Sequence, residues 1–302
     1  MYNIDRLFES VAVKGHVCVG LDTAAEYIPP AERQRSVSDA DAVYNYNKAV
    51  INATFDAAAC YKVQIAYYEE MGLAGLSAYA QTIQYIREKG GLVIADIKRG
   101  DIADTALRYA QAHFSGDFEA DFVTLSPYMG MDSIEPWLAC AGSKGKGAFV
   151  LMRTSNKGMR DFEYLELREG SCGANRRVYH AVGDKLADLA AAHPGKNGYG
   201  VFGAVVGCTE REEAAEIRKN YPGLFFLIPG YGAQGGAADD AALLLRAGNG
   251  GVVNASRSIL KAWSAELQNS DGDAVSATNA FAAEAACRAA VAMRDAILAA
   301  AR

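Results

Sequence analysis

The chain has 302 residues, 51% of them hydrophobic, and 30 Lys and Arg against 36 Asp and Glu give a formal net charge of −6. This is enough apolar chain for a large core. The acidic balance without a basic block argues against a nucleic-acid partner, and the absence of eighteen consecutive apolar residues argues against a membrane span.

Residues 1–6 show neither the basic stretch nor the apolar core of a secretion signal. The first predicted strand is residues 17–21, ending in Gly20-Leu21-Asp22-Thr23. A loop with Pro29 and Pro30 leads to a helix running to about residue 56, and residues 58–64 form a second strand that carries Lys62. Residues 67–89 read as helix, 92–97 as the third strand, and 101–114 as helix with Asp101 in its first turn, where negative charge suits the dipole. The alternation continues with strands at 121–125, 147–152, 200–206, 224–228 and 251–254. Helices fall at 132–140, 178–192, 209–220 (Thr209 as N-cap) and 238–247. The loop at 153–175 is long enough to be functional or mobile. Residues 268–278 are polar and predicted as a surface loop, and Phe281, Ala285, Ala289, Met293 and Ile297 repeat every four residues along a closing helix.

Eight βα units predict an α/β fold, a single (β/α)8 TIM barrel domain over residues 1–302 with a C-terminal closing helix. An open doubly wound sheet is the alternative. The six cysteines contain no CxxC pair and the four histidines no metal-ligand spacing, so a reducing cytoplasmic setting and chemistry without a metal are expected.

The third strand is short, apolar and β-branched until Asp96 and Lys98 interrupt its end. Positions two apart on a strand face the same way, so an acid and a base are aimed together, and Asp101 follows. A structural salt bridge needs only one carboxylate, and the second favours a functional arrangement. In a parallel barrel the C-terminal strand ends form the active face, and Asp22, Lys62, Asp96, Lys98 and Arg257 all fall there. After strand seven, Pro229-Gly-Tyr-Gly-Ala-Gln234-Gly235-Gly runs into a helix N-terminus, which suits an anion. Arg257 after strand eight adds a bidentate phosphate contact.

Asp96-x-Lys98-x-x-Asp101-Ile102, the Pro229–Gly236 segment and Asn254-Ala-Ser256-Arg257 together resemble the orotidine 5′-phosphate decarboxylase family, which makes UMP. Thr154-Ser155-Asn156 and the length resemble its longer bacterial branch. The resemblance spans residues 17–260 and implies a cofactor-free enzyme. Lys98 would protonate C6 of the pyrimidine, with Asp96 beside the departing carboxylate. Lys62 would touch the ribose, and Asp22 would bind a ribose hydroxyl. Asp101 and Thr105 would enter from the neighbouring subunit of a homodimer, and Ser155 would contact the pyrimidine. Gln234 and Arg257 would hold the phosphate, with Gly235 and Ser256 offering nearby backbone N–H groups, and Pro229 would be among the substrate-binding residues. The sequence departs from the branch at Tyr61-Lys62-Val63-Gln64, where Lys-Pro or Lys-x-Asn is more usual. Rivals are a magnesium-dependent phosphosugar decarboxylase on the same barrel, a Schiff-base enzyme using Lys98, and a catalytically dead nucleotide-binding barrel.

Overall fold

The computed structural model describes residues 1–168, 176–232, 235–269 and 277–301. Eight parallel strands close into a barrel in chain order: β1 (Val17–Gly20), β2 (Cys60–Gln64), β3 (Val93–Arg99), β4 (Phe122–Leu125), β5 (Gly147–Arg153), β6 (Phe202–Val206), β7 (Phe226–Ile228) and β8 (Gly251–Ala255). β1 closes the ring on β8 through Val17 and Val253. Almost every strand position is buried. That is why the strands read as continuous apolar runs rather than as alternation.

Two apolar layers result. Outward-facing Val19, Val63, Ala95, Val123 and Val253 pack against the helices, while Cys18, Cys60, Ile94, Phe122, Phe149 and Leu227 fill the barrel interior. The Phe122 and Phe149 rings lie 5.3 Å apart there. A helix before the first strand, Asn3–Lys14, was not predicted. Its Ile4, Leu7 and Val11, one stripe at helical spacing, join the interior cluster and stopper the lower end. At the other end of the chain, Asn279–Ala300 begins at Thr278, whose side chain accepts from the Phe281 amide. Its buried alanines and Met293 allow close packing on the helix Asp39–Thr54.

Several boundaries differ from expectation. The 67–89 helix is two, Ala66–Glu69 and Gly72–Glu88, broken where Gly72 takes φ +63°. Asp101 is outside the next helix, which spans Ala103–Phe114. Likewise Thr209 is not a cap, because that helix is Arg211–Asn220 with Glu210 before it. The helix expected at 238–247 is only Ala238–Ala242. The segment from 153 carries a 3-10 turn, Lys157–Asp161, and a bridge between Glu166 and Arg177. Residues 169–175 of that loop and most of the polar 268–278 stretch lie outside the described residues, and Ala262–Asn269 is helical.

Candidate active site

Lys62 on β2 and Asp96 on β3 are each 5% exposed, and ions so deeply buried require partners. Lys62 Nζ lies 2.7 Å from Asp96 Oδ2 and 3.0 Å from Asp22 Oδ1. Lys98 Nζ lies 2.6 Å from the other Asp96 oxygen. Asp22, Lys62, Asp96 and Lys98 thus form a series of alternating charge. Strand register builds it, since Gly20 pairs with Lys62 and Gln64 with Asp96.

The Asp96 carboxylate is saturated. Oδ2 also accepts from Gln64 Nε2 at 3.0 Å, and Oδ1 from the Thr124 hydroxyl at 2.8 Å. Burial alone would push the Asp96 carboxyl up, but the adjacent Lys62 and Lys98 ammoniums hold it well below the usual carboxylate range. Burial likewise opposes the charge on Lys62. The Asp22 and Asp96 carboxylates outweigh it and hold the ammonium well above its ordinary value. The second Asp22 oxygen accepts from Ser256 Oγ at 2.8 Å. This contact needs a glycine on β1: a Cβ at Gly20 would lie 2.0 Å from the Ser256 hydroxyl.

Lys98 is the exposed end of the series, its side chain 48% accessible against 7% for Asp96. It opens on a cavity of about 480 Å³, within the range of small-molecule sites. Asp22, Lys62, Asp96, Lys98, Ser155, Pro229, Ser256 and Arg257, all named from the sequence, line this one cavity. Asp101 and Thr105 do not. Asp101 accepts from the Ile102 amide at 2.8 Å, and Thr105 is exposed beyond the rim. Gly235 is also off the cavity wall, its amide donating to the Gly232 carbonyl at 2.9 Å. Gln234 lies outside the described residues.

Sequence reasoning missed several contributors. Tyr27, Tyr67 and Tyr231 add aromatic wall from the segments after β1, β2 and β7, Tyr67 on the short helix Ala66–Glu69. Tyrosine in a loop carries no signal of its own, although Tyr231 sits within the Gly-rich segment already singled out. Thr124 reads only as a β-branched strand residue. Glu163 holds the loop after β5, accepting from the Thr154 amide at 2.8 Å and the Thr154 hydroxyl at 2.7 Å, immediately behind Ser155. Burial keeps the Glu163 carboxyl above its ordinary value despite those bonds. Among the described residues, no three His, Cys, Asp or Glu side chains are grouped to hold a metal ion.

The model of the orotidine 5′-phosphate decarboxylase / HUMPS family matches residues 15–268. The chain is 53% identical over 293 residues to the orotidine 5′-phosphate decarboxylase of Clostridium perfringens strain SM101, covering 97% of each. It is 56% identical over 263 residues to that of Clostridium acetobutylicum, covering 87% of this chain and 90% of that one. The solved structure of Leishmania donovani OMP decarboxylase superposes with a TM-score of 0.72 at 33% identity, covering 98% of this chain and 100% of that one. With the family model spanning most of the barrel and such identity across nearly the whole length, the chain belongs to the orotidine 5′-phosphate decarboxylase / HUMPS family.

Proposed function

We propose that this chain converts orotidine 5′-phosphate to UMP and carbon dioxide without a cofactor; the relatives it resembles are named orotidine 5′-phosphate decarboxylases. The observation that carries this is the Lys98 ammonium, fixed 2.6 Å from Asp96, opening on the same cavity as Arg257 and the Pro229 loop. As the bond from C6 to the carboxylate breaks, its electron pair remains on carbon. The Lys98 ammonium meets that developing charge, and an N–H proton passes to C6 as CO2 leaves. A preorganised cation at this position stabilises the transition state more than the ground state. Half exposed, Lys98 regains its proton from water.

Asp96, kept ionised by its two lysines, orients Lys98 beside the departing carboxylate. Lys62 touches the ribose, Asp22 binds a ribose hydroxyl, and Ser155 contacts the pyrimidine. Arg257 and Gln234 hold the phosphate, assisted by the Ser256 amide, while the Gly235 amide is already bonded to the Gly232 carbonyl. Binding energy from this remote group drives closure and positioning.

The working unit is a cytoplasmic homodimer of single barrel domains, with neither nucleic acid nor membrane as a partner. Asp101 and Thr105 complete the partner's cavity. Their position off their own cavity supports this, as do the exposed Thr105, Ile102, Tyr128 and Phe162, the last three on the loops after β3, β4 and β5. Among the described residues no helix is long and apolar enough to cross a membrane.

Loss of orotidine 5′-phosphate absorbance in the presence of EDTA tests the assignment. Turnover that survives chelation is expected. Strict dependence on added magnesium would shift the assignment to the metal-dependent phosphosugar decarboxylases, and tight UMP binding with no CO2 release would make the chain a binding protein.

A further inference from the structure

We infer that Thr124 is a positioning residue for Lys98, setting both its backbone conformation and the direction of its ammonium through Asp96. The inference rests on the proposed reaction for its kinetic consequence and on geometry alone for the rest. Along the β3–β4 ladder, Ala95 pairs with Val123 and the next pairing is Arg99 with Leu125. β3 therefore advances four residues while β4 advances two. The surplus is a bulge that contains Asp96, Ile97 and Lys98, and within it Lys98 takes φ +43°, a left-handed conformation that a side chain bearing a Cβ rarely adopts. Such a backbone persists only where its surroundings over-determine it.

Thr124 lies between the two paired residues of β4 and is 1% exposed. Its oxygen accepts from the amides of both Ile97 and Lys98, each at 3.0 Å, and its proton goes to Asp96 Oδ1 at 2.8 Å. A hydroxyl has one proton to donate and two lone pairs to accept, and here all three are used. The two bulged amides are both satisfied by this one atom. The same Asp96 oxygen that Thr124 holds is the one bonded to Lys98 Nζ. The hydroxyl thereby fixes the plane of the carboxylate against which the ammonium is aimed. Thr124 itself need not touch the reacting carbon, because it acts through Lys98 and Asp96.

Three proteins test this: the wild type, Thr124→Val, which keeps the branched shape and deletes the hydroxyl, and Thr124→Ser, which keeps the hydroxyl. With orotidine 5′-phosphate, Thr124→Val is expected to lower kcat about 10- to 100-fold, the scale of a misplaced catalytic group. KM should stay within about threefold, and Thr124→Ser should recover most of the lost kcat. Amide hydrogen exchange at Ile97 and Lys98 is expected to accelerate in Thr124→Val and to remain slow in Thr124→Ser, with Val123 and Leu125 unchanged in both. Unaltered kcat in Thr124→Val, an equal loss in both variants, or undiminished protection of the Ile97 and Lys98 amides would each overturn the inference. A wild type that leaves orotidine 5′-phosphate intact would instead refute the proposed reaction, and the exchange rates would still decide whether Thr124 holds the bulge.

Discussion

Replacing Lys62 by methionine removes the one cation that joins Asp22 to Asp96 while keeping the length of the side chain. At contacts of 3.0 and 2.7 Å, Coulomb's law with an effective dielectric constant near 20 gives about 5–6 kcal/mol of attraction for each pair. Against this stands the several kcal/mol it costs to bury an ammonium, a cost that vanishes with the lysine. Asp96 keeps Lys98, Gln64 and Thr124 as donors, and Asp22 keeps Ser256. The net loss should therefore be about 3–5 kcal/mol, the usual consequence of removing one partner from a buried ion pair. For a chain of 302 residues, with an unfolding entropy of about 2 cal/mol/K per residue, that lowers Tm by about 5–8 °C. Urea unfolding measures the free energy without adding ionic screening. The folded Asp96 carboxyl lies below its unfolded value, so its contribution is present above about pH 4 and lost as the pH falls further. The folded Lys62 ammonium lies above its unfolded value, so its contribution is present below about pH 10 and lost on strong alkalinisation. The gap between wild type and variant should accordingly be a plateau across neutral pH that closes in acid. A gap under about 1 kcal/mol at pH 7, or one that widens in acid, would refute the charge-chain argument.

Lys98→Ala should lower kcat by about 10³-fold or more while UMP still binds, because the proposed proton donor is removed and the proposed phosphate contacts remain; turnover near that of the wild type would remove Lys98 from the chemistry. Mixing inactive Lys98→Ala and Asp101→Ala chains should restore part of the activity, since one hybrid site is then intact; no recovery after verified subunit exchange would return Asp101 to its own chain's site. His113, 4% exposed, has its imidazole pushed down to about 4, first by burial and then by the Arg99 charge. Its folded value is below the unfolded one, so stability is full above about pH 6.5 and falls by up to about 3 kcal/mol as the pH drops toward 4. His113→Phe keeps a ring between Phe118 and Trp137 and should flatten that slope in urea melts taken between pH 7 and 4; parallel slopes would exclude His113 as the source.

The barrel was legible because its strands are buried on both faces, so Val93-Ile-Ala and Phe226-Leu-Ile stand out as short apolar runs at regular intervals. Helix ends were less so, because they depend on backbone events such as the positive φ at Gly72 rather than on periodicity. The stripe of Asn3–Lys14 was present in the residues but precedes the first strand and falls outside the βα repeat. At the site, the Asp96 and Lys98 pair was visible because charge inside an apolar run is conspicuous. The alternation argument that joined them was incomplete, since a register shift and a left-handed Lys98 intervene. Thr124 and Glu163 could not be found this way. Their partners are 28 and 9 residues away, and those meetings exist only after folding.

The helix that stoppers the lower end also constrains traffic. With Ile4, Leu7 and Val11 wedged among the interior side chains, the gas that the proposed reaction releases departs through the doorway that admits the nucleotide, past Lys98. Any flap that seals this entrance during the reaction must swing open again before either product escapes. Where that reopening is slower than bond cleavage, it sets the turnover.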